Sequence, residues 1–198
     1  AATSAGNTSV HGGGRAPSRR ASSGNAASTQ RTKLQETSAA AARKDDAASR
    51  AQADTVRTQI GKALAQNASL RAIVGQVQVS SGSDEVRISI EDTDRQPMFA
   101  RGSTALDPHA ISLLTSIAPV LMAMPGDLSI AGYTDAAAYR PGQINNWTLS
   151  AMRADAARSA LVKAGFPDWR LHSVTGHAEH DLADVAHPLA AANRRIVL

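Results

Sequence analysis

One carboxylate and one arginine have the residue types and the spacing that could do chemistry in this chain. Asp135 lies in the turn Gly132-Tyr133-Thr134-Asp135, directly after a short apolar strand that contains Leu128 and Ile130. Arg153 follows after a polar loop, inside a predicted helix. Both side chains are charged at neutral pH, so they can pair with each other or with the charged groups of a ligand.

Arg153 has an unusual place in its predicted helix, which we expect to run from Asn145-Asn146 to Gly165. Side chains three and four residues apart share one helix face, and the face of Arg153 is otherwise apolar, with Leu149, Ala157, Leu161 and Ala164. Such a face packs on a sheet, and a guanidinium that leaves water needs a carboxylate or a phosphate as partner. Asp135 is an available acid at the same edge. Charge spacing alone favours a plain Asp135–Arg153 salt bridge over a ligand site.

A second helix is predicted upstream of this segment. Asp107 followed by Pro108 is typical of a helix N-terminus, because the aspartate caps free amides and proline fits the first turn. Pro119 should kink the helix, and we expect it to end by Met124. Its predicted buried face consists of Ile111, Leu114, Ile117, Ala118 and Leu121.

Strand patterns lie on both sides of the two helices. Alternating apolar residues at 77–79 and 86–90 flank a turn cluster at 81–84, which predicts a hairpin. Further strands are predicted at 171–175 and 193–198. The order of these elements indicates one α/β domain, an α+β sandwich with the helices on one face of a mixed sheet.

The N-terminal part of the chain has a different composition. Residues 1–37 are mainly Ala, Ser, Gly, Thr, Asn and Arg, a composition typical of a flexible linker because it buries too little apolar surface to offset ordering entropy. Residues 38–75 are richer in helix formers, and one stripe there is apolar: Val56, Ile60, Ala63 and Leu64. The predicted organisation is therefore a linker, a helical region over 38–75, and a domain over 76–198.

Whole-chain properties exclude several classes of protein. Residues 1–50 hold eight Lys/Arg against three Asp/Glu, and residues 51–198 hold thirteen against fourteen. The basic charge belongs to the N-terminal tail, so we expect no nucleic-acid-binding face. The 198-residue chain has no cysteine and no apolar run near the about 20 residues that span a bilayer. Its start, without Met or an apolar leader, is typical of an excised soluble fragment.

A histidine-rich loop raises the possibility of a metal site. His177, His180 and His187 lie near Glu179, Asp181 and Asp184. The H-x-x-H spacing does not place two imidazoles on one helix face as H-E-x-x-H does, so we favour a solvated surface loop. No nucleophile elbow, phosphate-binding loop or dinucleotide fingerprint is present. We therefore expect no catalytic residue, no metal and no cofactor.

Three motifs resemble the OmpA-like peptidoglycan-binding domain family: Gly132-x-Thr134-Asp135, Asn146-x-x-Leu149-Ser150-x-x-Arg153-Ala154 and Asn193-Arg194-Arg195-Ile196. Further features resemble the MotB branch of that family, the flagellar stator proteins: Arg95-Gln96-Pro97-Met98-Phe99, Gly102-Ser103, an insertion at 139–142, and Asn146-Trp147-x-Leu149-Ser150. The resemblance covers about residues 54–198, and its motifs occur in the family's order.

The resemblance implies a βαβαββ domain that binds the diaminopimelate stem peptide of peptidoglycan. That residue carries an ammonium and a carboxylate on one carbon. Asp135 would accept hydrogen bonds from the ammonium, and Arg153 would bind the carboxylate with its planar fork. The other implied site residues are Thr134, Asn146, Leu149, Ser150 and Arg194. Tyr133 departs from the family pattern, which usually has His at that place.

The resemblance also implies a role and a setting. A periplasmic MotB-type domain would anchor a flagellar stator to the cell wall as a homodimer, with an integral-membrane MotA-type partner, so that ion flow generates torque. The full-length protein would be a single-pass inner-membrane protein. The helical region 38–75 would either help two domains meet or pack on its own domain. The alternative is an OmpA- or Pal-type structural tether between the outer membrane and peptidoglycan.

Overall fold

The structure, a computed structural model, describes residues 23–82, 85–138 and 144–198. The chain divides into two units, residues 1–42 and 43–198. The first helix, α1 (Ser23–Ala65), begins in the first unit and starts earlier than predicted. It thus includes residues 23–37, which composition assigned to the linker, while residues 1–22 of that predicted linker lie outside the described residues.

Within the second unit, the C-terminal half of α1 packs on its own domain. The buried side chains are Ala53, Val56, Ile60 and Leu64, and Ala63 packs against them as a partly buried neighbour. Their spacing of three and four residues is that of an amphipathic stripe, so the predicted apolar stripe is confirmed. A 3₁₀ helix, Ala68–Gln76, follows and buries Leu70 and Ile73.

Five strands form one mixed sheet: β1 (Val77–Ser81), β2 (Val86–Glu91), β3 (Leu128–Gly132), β4 (Leu171–Gly176) and β5 (Arg195–Val197). Their spatial order is β1-β2-β5-β3-β4, with β3 and β4 parallel and the other neighbours antiparallel. The predicted hairpin is confirmed as β1–β2, although turn residues 83–84 lie outside the described residues. Strand side chains in the core include Ile88, Ile90, Ile130 and Ile196.

Helix α2 (Pro108–Ala123) has the predicted N-terminus, since the Asp107 carboxylate accepts a hydrogen bond from the His109 amide at 3.1 Å. The helix continues past Pro119 and ends as predicted, with Met124 as its C-cap. Ile111 was wrongly assigned to the core, because it is 44% exposed. Each residue turns the helix by about 100°, and the buried face is centred on the row Ala110, Leu113, Leu114, Ile117 and Leu121.

Helix α3 (Asn146–Lys163) packs closely on the ends of two strands. Its N-cap is Asn145, whose side chain accepts a hydrogen bond from the Thr148 amide at 2.8 Å. A β-carbon on Gly132 would lie 2.2 Å from the Ser150 carbonyl oxygen, and one on Gly176 would lie 2.4 Å from the Ala151 nitrogen. The two glycines therefore allow α3 to approach the sheet, which supports a packing role for Gly132. From β2 onward the elements follow the order β2-α2-β3-α3-β4-β5, which is the predicted βαβαββ, and β1 precedes them as the first strand of the hairpin.

Candidate ligand-binding site

The ends of three neighbouring strands meet at one end of the sheet. Strand β5 lies between β2 and β3 and is antiparallel to both, with Arg195 opposite Glu91 and Ile196 opposite Gly132. The residues that follow β2 and β3 therefore lie beside the residue that precedes β5. The Asp92 amide donates to the Arg194 carbonyl at 2.9 Å, which joins two of these ends directly.

A cavity of about 1000 Å³, here called the rim cavity, opens at this end of the sheet, between the strand ends and the start of α3. It brings together six of the seven residues that the sequence suggested: Thr134, Asp135, Asn146, Leu149, Arg153 and Arg194. Its volume is sufficient for a small ligand. The insertion at 139–142 lies outside the described residues.

Arg194 links two carboxylates within the rim cavity. Its Nε donates to Asp92 Oδ2 at 2.8 Å, and its Nη1 donates to Asp135 Oδ2 at 2.9 Å. Burial opposes the charge of Arg194, but these two hydrogen bonds raise its pKa. The other Asp135 oxygen accepts from the Ala137 amide at 3.2 Å. Asp135 is therefore oriented by an arginine from one side and by its own loop from the other.

Arg153 is a buried cation, only 3% exposed, on the third turn of α3. Its Nε donates to the Ser103 carbonyl at 3.0 Å, and its guanidinium lies 4.7 Å from the centre of the Phe99 ring. Burial lowers the pKa of Arg153 to about 10, while the charge of Asp92 opposes that shift. The loop before α2 thus supports the arginine through a neutral carbonyl and an aromatic face.

A plain Asp135–Arg153 salt bridge is not present among the described residues. Asp135 instead pairs with Arg194, since the chain pairing of β5 with β3 brings that arginine directly beside it. The charge of Asp135 still stabilises Arg153 from a distance. Within the described part of the chain, Arg153 has no carboxylate in salt-bridge contact, and it faces a cavity.

Thr134 is a further residue of the rim cavity, and its polar side chain lacks a partner among the described residues. Its amide donates to the Ala178 carbonyl at 2.8 Å, which fixes the backbone. Its side-chain hydroxyl is buried and has no hydrogen-bond partner among the described residues. A buried hydroxyl without a partner costs free energy, so this one is well placed for a ligand.

The other predicted site residues have different structural roles. Asn146 donates through its amide nitrogen to the Ala137 carbonyl at 3.2 Å and to the Glu179 carboxylate at 3.1 Å, so it ties loops together. Leu149 is buried and lines the cavity wall. Ser150 does not line the cavity: its hydroxyl donates to the Trp147 carbonyl and accepts from the Ala178 amide, both at 3.0 Å. We therefore omit Ser150 from the proposed site.

Tyr133 points to the opposite face of the sheet from Thr134. Its ring stacks on His177 at 4.9 Å, and the Arg195 guanidinium lies 3.8 Å from the ring centre. Because successive side chains in extended backbone alternate between faces, Tyr133 does not line the rim cavity. Its difference from the usual histidine therefore does not alter the described cavity lining.

Asp92 is a residue of this cavity that sequence reasoning missed. Its side chain is 2% exposed, and its second oxygen accepts a hydrogen bond from the Met98 amide. Burial raises the pKa of Asp92, partly offset by the hydrogen bond from Arg194. The strand pattern could have indicated it. Side chains two residues apart in a strand point to the same face, so Asp92 lies on the buried face of Ile88 and Ile90.

The histidines of the loop after β4 lie in separate environments. His177 stacks on Tyr133, His180 lies 5.0 Å from Trp147, and His187 Nδ1 lies 2.9 Å from the Asp184 carboxylate. In the part of the chain that the structure describes, no three His, Asp or Glu side chains converge as metal ligands.

The comparisons with known proteins agree with this fold. Residues 98–195 match the OmpA family, so the class of the protein is that of OmpA-domain proteins. Motility protein B of Escherichia coli K12 is 33% identical over 145 residues, which cover 72% of this chain and 47% of that protein. The chain is therefore a MotB-like OmpA-domain protein, and proteins of this class are structural rather than enzymatic.

Other relatives extend the comparison. LafU of Escherichia coli O44:H18 (strain 042 / EAEC), assigned to flagellar export or assembly, is 40% identical over 111 residues, 56% of this chain. The chain spans between 36% and 53% of the length of the curated relatives named Motility protein B and LafU.

Two solved structures share the fold. A MotB-like protein from Desulfovibrio vulgaris aligns with a TM-score of 0.56 and 21% identity, covering 74% of this chain and 91% of that one. The cell wall anchor of the T6SS from Pseudomonas aeruginosa aligns with a TM-score of 0.54 and 22% identity, covering 71% and 95%. At these identities the likeness concerns the fold alone.

Proposed function

We propose that this domain anchors a larger protein to the bacterial cell wall by binding peptidoglycan without covalent chemistry. The single observation that carries the proposal is Arg153: a buried guanidinium without a carboxylate in salt-bridge contact among the described residues, facing the same cavity as Asp135. A buried charge is stable only when a partner compensates it. A ligand carboxylate supplies that partner.

The proposed ligand group is the diaminopimelate of an uncrosslinked stem peptide. Its carboxylate binds the Arg153 guanidinium in a charge-assisted pair, and its ammonium donates to the Asp135 carboxylate, which Arg194 holds in place. The free hydroxyl of Thr134 completes the polar lining. Two comparisons support the wall-binding part: residues 98–195 match the OmpA family, and a cell wall anchor shares the fold.

We further propose that the full-length protein is a flagellar stator subunit located in the periplasm and anchored in the inner membrane. In that role it works as a homodimer with a MotA-type membrane partner. The identity to Motility protein B supports this assignment over a simple outer-membrane tether. Among the described residues, no helix is both long and apolar enough to cross a membrane. Deletion of the gene should leave assembled flagella that do not rotate, observed by tethered-cell microscopy; normal rotation would reject the stator role.

The wall-binding proposal can be tested by sedimentation with insoluble peptidoglycan sacculi. The purified chain should sediment with sacculi, whereas the Asp135→Ala and Arg153→Ala variants, shown to be folded by circular dichroism, should remain in solution. Arg158→Ala is the matched control, because Arg158 lies on the same helix but pairs with surface aspartates outside the cavity. It should sediment like the parent.

Each alternative outcome has a definite meaning. Equal sedimentation of all four proteins would reject the rim cavity as the binding site. Failure of the parent to sediment would reject wall binding by this chain.

A further inference from the structure

Asp92 has an environment that differs from that of the other acids in the rim cavity. Its carboxylate is almost completely buried, and both oxygens are occupied, one by the Met98 amide and the other by Arg194 Nε at 2.8 Å. Both oxygens are thus held by protein groups, and burial leaves the carboxylate almost no surface that a ligand could contact. Asp92 therefore acts on binding through the arginines that its charge faces: Arg194, which it binds directly, and Arg153, whose positive charge it helps to stabilise.

Arg194 hydrogen-bonds to two acids, and its Nη2 also lies 3.8 Å from a third, the exposed Asp94. Nε binds Asp92, and Nη1 binds Asp135. The half-buried guanidinium has its direction set by these two anchors, and both hydrogen bonds raise its pKa. With Asp92 ionised, the charge of Arg194 is largely neutralised by Asp92 and Asp135.

The half-buried and buried charges of the rim cavity balance. Two acids, Asp92 and Asp135, face two arginines, Arg153 and Arg194. A zwitterion adds no net charge to this group, so binding it leaves every buried charge compensated. Loss of the Asp92 charge would leave one excess positive charge, which repels an ammonium and attracts a second carboxylate.

We propose that Asp92, through its hold on Arg194, determines that the rim cavity selects a zwitterion over a plain dicarboxylate. Asp92 is a positioning residue that does not touch the ligand. This inference rests on the proposed function, because it assumes that the cavity binds the ammonium–carboxylate group of diaminopimelate. It adds the basis of selectivity at that site.

The test compares two soluble probes with the same carbon skeleton. meso-Diaminopimelate carries two ammonium groups beside its two carboxylates, and pimelate carries the carboxylates alone. Affinities of both are measured by isothermal titration calorimetry or by NMR titration at neutral pH. The proteins are the parent, Asp92→Asn, and Asp155→Asn as control, since Asp155 is an exposed acid outside the cavity and its loss changes net charge equally.

The parent should prefer meso-diaminopimelate. In Asp92→Asn that affinity should fall about tenfold, the scale of one charge-assisted hydrogen bond, while the affinity for pimelate should rise. Opposite changes for the two probes are not produced by general loosening of the site. Asp155→Asn should behave like the parent, and Asp92→Glu, which restores the charge, should recover the preference for the zwitterion.

The two proposals fail in distinguishable ways. If the parent binds meso-diaminopimelate and Asp92→Asn keeps the same preference, the role of Asp92 is rejected and the wall-binding proposal stands. If the parent binds neither probe, the proposed ligand is rejected and this inference with it. If Asp92→Asn does not fold, Asp92→Ser provides a second uncharged side chain that can accept from the Met98 amide, and the same opposite changes are required of it.

Discussion

Arg194 Nη1 lies 2.9 Å from Asp135 Oδ2 across the end of the sheet. Asp135, which the sequence predicted as the partner of Arg153, is therefore paired with another arginine. This arrangement holds the Asp135 carboxylate in one orientation, and it leaves the guanidinium of Arg153 facing the cavity. The proposed site is thus pre-organised to bind a charged group.

Loss of Arg194 should destabilise the domain strongly. In Arg194→Ala, the Asp92 carboxylate remains buried without its cation, and breaking a buried ion pair in this way costs about 3–5 kcal/mol. Urea unfolding followed by circular dichroism measures the change. Arg158→Ala is the control: its ion pairs with Asp155 and Asp168 are exposed, so its loss should cost at most about 1 kcal/mol. Equal effects of the two substitutions would contradict the proposed burial.

Gly132→Ala should destabilise the contact between β3 and α3. The new β-carbon would meet the Ser150 carbonyl oxygen at 2.2 Å, and a backbone atom cannot rotate away. We expect a cost of about 1–3 kcal/mol in the free energy of unfolding, as for other overpacked interiors. Gly61→Ala is the matched control, because Gly61 lies in helix α1 with nothing within 4 Å, and it should stabilise by roughly 0.5–1 kcal/mol.

Asn193 should prove essential for the loop that precedes β5. Its buried side-chain amide donates to the carbonyls of Asp184, His187 and Pro188, and its oxygen accepts from the Asp184 amide at 2.8 Å. Asn193→Ala should lower the free energy of unfolding by on the order of 3 kcal/mol. Asn193→Asp should lower it further, because a carboxylate would face three carbonyl oxygens. A smaller loss for Asp than for Ala would reject this account.

The stability contributed by Asp107 should depend on pH. Hydrogen bonds from the His109 amide and side chain lower the pKa of Asp107. A lowered pKa in the folded state means that the ionised form stabilises the fold above the ordinary pKa near 3.8, and that this contribution disappears as pH falls below it. Asp107→Ala should therefore cost about 1 kcal/mol near pH 7 and progressively less below pH 3.8. Thermal unfolding from pH 7 to pH 2.5 measures the difference, and a constant difference would contradict the capping role.

Patterns local in the sequence were good guides to the fold. Three features were predictable: the β1–β2 hairpin, the capped starts of α2 and α3, and the buried row of Arg153 on α3. Each depends only on residues that are close to one another in the sequence. Ile111 was misassigned because two adjacent rows on α2 are apolar, and only packing against the sheet decides which of them faces inward. The early start of α1 at Ser23 also departed from composition.

The sequence by itself predicted three of the charged residues at this end of the sheet, Asp135, Arg153 and Arg194, and the buried helix face of Arg153, because the motifs, charges and periodicity are local to the chain. It did not predict Asp92. The pairing of those charges was decided only by tertiary structure. β5 comes last in the chain but lies between β2 and β3, so it brings Arg194 between Asp92 and Asp135. Contacts between residues so far apart in sequence follow from strand order, and no local pattern encodes that order.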